Sequence, residues 1–108
     1  MKFIVNNQEW DLVFVKPNSK NLMRSDGSIT IGMTDNNKKT VYVNNRLNEY
    51  LTDKVICHEL THVFAFEFDY FMDIQTEEIV ADFMSLYGRR IVYLLDDLVV
   101  ILKKSYIS

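Results

Sequence analysis

The chain has 108 residues, 48% of them hydrophobic and 25% charged, with a net charge of −3 and a pI near 5.3. That suffices for one domain burying roughly two-thirds of its unfolded surface, not for two, and it offers no basic face for nucleic acid beyond the pairs Lys38-Lys39, Arg89-Arg90 and Lys103-Lys104. A single cysteine, Cys57, excludes an internal disulfide framework, and the run Met1 to Asn6 is too short to be a signal peptide, so the expected compartment is the cytoplasm.

Strands come first along the chain. Phe3 to Val5 and Trp10 to Val15 are short runs rich in β-formers, separated by Asn6-Asn7-Gln8, and are expected to pair as a hairpin that ends at Pro17. Asp26-Gly27 marks a turn. Beyond it Ile29, Ile31 and Met33 alternate with Thr30, Gly32 and Thr34, and the polar stretch Asp35 to Lys39 leads into a second strand, Thr40 to Asn44, giving a second hairpin.

From Asn48 the pattern turns helical and runs through Glu67. Its residues Val55, Ile56, Cys57, Leu60, Val63, Phe64, Ala65 and Phe66 are apolar almost all the way round, which predicts a buried helix. Phe68 to Gln75 reads as a loop. A further helix is expected to open at Thr76 as N-cap, with Glu77 and Glu78 in its first turn, and to run to at least Tyr87. Gly88 marks a break or bend before a third helix, Ile91 to Lys104, whose apolar residues include Val92, Leu95, Leu98, Val99 and Leu102. Asp96 and Asp97 interrupt that apolar run, which is too short to span a bilayer. The predicted class is α+β, one small domain with N-terminal strands followed by helices.

Both histidines of the chain fall in His58-Glu59-Leu60-Thr61-His62. An i, i+4 pair lies on one helical face, so two imidazoles can converge on one metal ion, while the intervening carboxylate reaches a water at that ion without binding the metal itself. Such a pattern should arise by chance in roughly one chain of this length in a few hundred. Two histidines set into a core and satisfied by hydrogen bonds are the plainer interpretation, but Glu59 would be costly to bury alone, whereas a dication and its water give all three polar side chains a partner.

Zinc usually takes three protein ligands in a catalytic site, and the third must here be a carboxylate. Glu78 is the best placed, sixteen residues past His62 at the start of the next helix, with Glu77 the lesser candidate because it sits about 100° round that helix. Carboxylates also favour a first turn for electrostatic reasons alone. Asp82, one turn beyond Glu78, is placed to accept the second ring N–H of a ligating histidine, and the small Ala81 lets the two helices approach.

His58-Glu59-Leu60-Thr61-His62 followed by Glu78-Ile79-Val80-Ala81-Asp82 resembles the gluzincin branch of zinc metallopeptidases. With the hairpin of Gly32-Met33-Thr34 and Val41-Tyr42-Val43 ahead of it, the order is most similar to the ImmA/IrrE-like peptidases and the minimal gluzincins encoded by phages and mobile elements, over roughly residues 29 to 90. Metzincins are excluded, because Ala65 and Phe68 stand where their motif needs glycine and histidine. The resemblance implies one Zn2+ per chain held by His58, His62 and Glu78, Glu59 as general base, Asp82 supporting a histidine, and cleavage of a protein, in several members a transcriptional repressor, in the cytoplasm of a bacterial or phage-infected cell.

Peptide hydrolysis also benefits from an electrophile for the developing oxyanion, for which Tyr70, Tyr87 and Arg89 are unranked candidates. The strand Ile29 to Asp35, as an edge near the site, would take an extended substrate by strand addition. The aromatics Phe64, Phe66, Phe68, Tyr70 and Phe71 read first as core and second as an apolar subsite. The third helix has more apolar residues than a packing face needs, which leaves docking on the domain, contact with a partner and homodimerisation open. The rival to a peptidase is a non-catalytic zinc-binding regulatory or inhibitor protein. Glu59 argues against it, since a structural zinc site closes with four ligands and has no use for a base.

Overall fold

The computed structural model describes the backbone of residues 1–107 and the side chains of residues 1–105. It is an α+β arrangement in which four strands, β1 (Lys2–Val5), β2 (Gln8–Val15), β3 (Gly32–Asp35) and β4 (Thr40–Asn44), precede three helices, α1 (Glu49–Glu67), α2 (Ile74–Phe83) and α3 (Arg89–Ile107). The sheet order is β1-β2-β4-β3. Both expected hairpins form. Asn6 and Asn7 take φ of 48° and 64°, the left-handed values that a tight two-residue hairpin turn needs and that asparagine tolerates.

β2 and β4 run parallel, from Asp11 opposite Thr40 to Val15 opposite Asn44, so the two hairpins are joined into one sheet by a crossover. The chain leaves β2, makes a short 3-10 turn (Lys20–Leu22), and returns along the outer edge as β3 before β4 closes the gap. β3 is shorter than its alternating pattern implies. Ile29 is drawn off into an isolated bridge with Met23, and the ladder with β4 begins only at Gly32 opposite Val43.

One face of the sheet carries the core. Val5, Trp10, Val41 and Val43 pack with Val55 and Val63 of α1, and the burial of each such side chain stabilises the fold by about 1.5–3 kcal/mol. The fully buried Trp10 donates its indole N–H to Glu67 Oε1 at 3.1 Å, and Lys39 pairs with the same carboxylate, which fixes the C-terminal end of α1 over the sheet. Asn48 caps the other end, its side chain accepting the Leu51 N–H at 2.8 Å.

α1 is not buried all round, contrary to the expectation from its composition. Only Val55, Glu59, Val63 and Ala65 are buried, while Phe64 and Phe66 stand about half exposed. A four-stranded sheet covers one side of a helix, and the remaining helices cover only part of the rest. α2 begins earlier than expected: Asp73, not Thr76, is the N-cap, accepting the Thr76 N–H at 2.8 Å and the Thr76 hydroxyl at 3.0 Å. α2 does not run unbroken to Tyr87 either. A π-helical turn (Met84–Gly88) follows Phe83 and passes directly into α3, which starts two residues before the expected Ile91. Among the described residues no helix is long and apolar enough to cross a membrane.

Candidate metal centre

α1 and α2 pack against each other, and Ala81 of α2 is fully buried. His58 and His62 project toward that contact and Glu78 comes across from α2. The Glu78 carboxylate lies 3.2 Å from His58 Nε2 through Oε2 and 2.9 Å from His62 Nε2 through Oε1, and the two Nε2 atoms are 3.3 Å apart. These three residues form a group that could hold a metal ion.

The outer ring nitrogens decide the chemistry of the inner ones. His62 Nδ1 is 2.8 Å from Glu77 Oε2, and His58 Nδ1 is 3.0 Å from Asp82 Oδ1. A carboxylate is placed to accept a hydrogen bond from the N–H at each Nδ1, and a neutral ring in that tautomer has a bare lone pair at Nε2. With both rings neutral and protonated at Nδ1, two such lone pairs and a carboxylate face one another across about 3 Å, a repulsion that a cation among them would relieve. The 3.3 Å separation of the Nε2 atoms also matches the edge of a tetrahedron whose metal–nitrogen bonds are about 2.0–2.1 Å. The donor set therefore fits a small divalent ion.

Glu59 occupies a different position. It is buried, its Oε2 is 3.9 Å from His58 Nε2, and the Thr34 hydroxyl donates to Oε1 at 2.9 Å from the edge strand β3. Burial pushes its carboxyl above the ordinary carboxylate range, the Thr34 hydrogen bond and the two imidazoles pull it back, and Glu78 adds to the rise. Gly32 makes this packing possible: a Cβ there would sit 2.5 Å from Val55 Cγ1 and 3.2 Å from Glu59 Cγ. β3, the outermost strand beside β4, is thus the sheet edge that borders the site.

Over the triad lies a cleft of about 330 Å³ whose walls include Arg24, Thr30, Gly32, Thr34 and Phe66. None of the three expected oxyanion donors lines it. Arg89 pairs with Asp53 at 3.4 Å, Tyr87 packs on Phe83, and Tyr70 is largely exposed beside a separate small hollow that His62 and Glu77 also line. The cation at the cleft is Arg24 instead, with Nη2 3.4 Å from the Thr30 hydroxyl. Arg24 sits in irregular chain outside any periodic pattern, so the sequence carries no signal for it. The aromatic cluster is not core, either: Phe64, Phe68, Tyr70 and Phe71 are half to nine-tenths exposed, and Phe66 alone among the five faces the cleft.

Glu77 was legible as an acid near the site but not as the partner of His62. Replacing it, or Asp82, with the neutral amide (Glu77→Gln, Asp82→Asn) is expected to weaken metal binding about 10- to 100-fold without unfolding the chain, measurable by competition with a chromogenic chelator. Equal affinity in both variants and the parent would mean that the outer carboxylates do not orient the rings.

Fold and cluster together define a small α+β protein with a candidate metal centre between two helices, bordered by a sheet edge. No protein-family model matches the chain, and comparison with curated proteins and with solved structures found no match.

Proposed function

We propose that the chain is a zinc-dependent metallopeptidase acting on a protein substrate in the cytoplasm. The observation that carries this reading is the division of labour around the motif: two imidazoles and Glu78 converge, the outer ring nitrogens are taken up by Glu77 and Asp82, and Glu59 is held close by without joining the triad. A structural site would have no use for that last carboxylate.

A zinc ion bound there supplies the Lewis acidity that acidifies water and polarises a carbonyl. Glu59, with its proton affinity raised by burial and its orientation set by Thr34, takes the proton of the attacking water and returns it to the leaving amine. Asp82 and Glu77 keep the two rings in the tautomer that binds metal. An extended substrate adds to the free edge of β3, which places its backbone along the cleft, and Arg24 faces the carbonyl oxygen as charge develops.

The decisive comparison pairs metal analysis with Glu59→Gln. The variant is expected to retain one zinc per chain and lose the proteolysis seen with the parent in cells, and to trap the substrate in a pull-down. Zinc content with no difference between parent and variant would instead favour a metal-binding regulator without turnover. Arg24→Ala is expected to lower kcat with metal content unchanged; an unaltered kcat would remove Arg24 from the mechanism.

A further inference from the structure

α3 is the least enclosed part of the molecule. Its side chains Ile91, Leu95, Leu98 and Leu102 recur at steps of four, three and four, flanked by Leu94 and Ile101, and these six are 49–60% exposed. Asp96, Asp97, Lys103 and Lys104 lie on the opposite arc, interleaved there with the exposed Val92, Tyr93 and Val100. At half exposure each aliphatic side chain leaves on the order of 80–100 Å² bare, so the stripe presents on the order of 500–600 Å², the upper end of what a monomer leaves in water.

A second bare apolar surface lies elsewhere on the same chain. A groove of about 920 Å³ runs between α1 and α2, floored by Cys57, Leu60, Phe64 and Phe68 on one side and Val80 and Met84 on the other. The groove takes no residue from the sheet and lies on the far side of the α1–α2 contact from the metal triad. The stripe on α3 and the α1 wall of the groove each span eleven residue steps, Ile91 to Leu102 and Cys57 to Phe68, or about 17 Å of helix. The two surfaces match in length and in character.

The chain cannot join them to each other. Phe83, Met84 and Arg89 all have right-handed helical backbone angles, so α2, the π-helical turn and α3 run on without a reversal, and α3 extends the molecule to 59 Å against 31 and 27 Å in the other directions. We propose that two copies dimerise by reciprocal exchange of α3, each laying Ile91 to Leu102 into the α1–α2 groove of the other. Exchange closes a two-fold assembly in which both bare surfaces are covered twice. The total buried area would be on the order of 2,000 Å², within the range of stable protein interfaces, whereas pairing α3 with α3 alone would leave both grooves open. The arc of each α3 that carries Asp96, Asp97, Lys103 and Lys104 stays in water as the rim.

Sedimentation equilibrium at micromolar concentration should give twice 12.8 kDa. Leu98→Asp on the helix and Phe64→Asp in the groove should each yield the monomer mass with an unchanged far-ultraviolet circular dichroism spectrum. Because either change can disturb folding, a second measurement uses Cys57, which lines the groove. Cysteines placed singly at positions 94, 95, 98 and 102 should give disulfide-linked dimers under mild oxidation at one or more positions, and these should vanish when Cys57→Ser is added. A monomer at every concentration, a dimer that survives Phe64→Asp, cross-links independent of Cys57, or a monomer that floats with phosphatidylserine vesicles through α3 would each overturn the proposal.

Discussion

His62→Ala is expected to leave the chain unable to retain a metal ion through purification, and to remove the response of its melting temperature to chelator. The ring contributes one of three convergent donors, and its loss also frees Glu77 from its partner. Structural zinc sites gain about 10–16 kcal/mol from their full ligand set, so deleting one of three donors should weaken binding by several kcal/mol, on the order of 10³-fold or more. In the parent, a metal present at a thousand times its Kd stabilises the native state by about 4 kcal/mol. For a chain of this size that corresponds to a fall in Tm on the order of 15 °C or more when the metal is stripped. Calorimetry of parent and variant with and without chelator tests this directly. A parent whose Tm ignores the chelator would show that the triad binds nothing of consequence.

Gly32→Ala should injure stability and activity together. The added methyl would lie 2.5 Å from Val55 Cγ1, within a buried contact, and 3.3 Å from Glu59 Oε2. Val55 is held by the core and cannot retreat, so either β3 lifts from α1 or Glu59 is displaced. Overpacking of this kind costs about 1–3 kcal/mol. If Glu59 is the general base, as proposed, its displacement by about 1 Å costs on the order of 100-fold in rate, so turnover per bound zinc should fall well beyond the loss of folded protein. Chemical denaturation gives the first quantity, and kcat normalised to metal content the second. A variant as stable and as active as the parent would mean that β3 does not brace Glu59.

The part of the site that was readable in the sequence is the part that a single helix determines. The spacing of His58 and His62, and of Glu78 and Asp82, needs only the 3.6-residue period, and the structure joins those pairs across one helix contact. The role of Glu77 was not readable, because the angle between Glu77 and Glu78 about their own axis says nothing of how α2 sits on α1; in place, adjacent carboxylates reach different histidines. Thr34 and Gly32 reach Glu59 only because β3 lies at the sheet edge, a consequence of the parallel pairing of β2 with β4 that local patterns do not encode. The start of α2 was misplaced for a local reason. Asp73 and Thr76 are both good caps, and here the aspartate accepts from the threonine on both oxygens. Apolar content misled most on α1, where residues that line an open groove read the same as residues of a core.

The π-helical turn at Met84–Gly88 holds one residue more than a regular turn would and absorbs it locally, because five residues of the wider turn complete about the same rotation as four of an α-helix. Removal of one residue there would return the stretch to the ordinary period and leave the angular phase of α3 relative to α2 nearly unchanged. Leu95 and Leu98 would then keep the direction they now take, and His58, His62 and Glu78, all upstream, would keep their places. A single-codon deletion in this turn would therefore spare both the apolar arc of α3 and the candidate metal cluster, whereas the same deletion within α3 would turn every residue beyond it by about 100°.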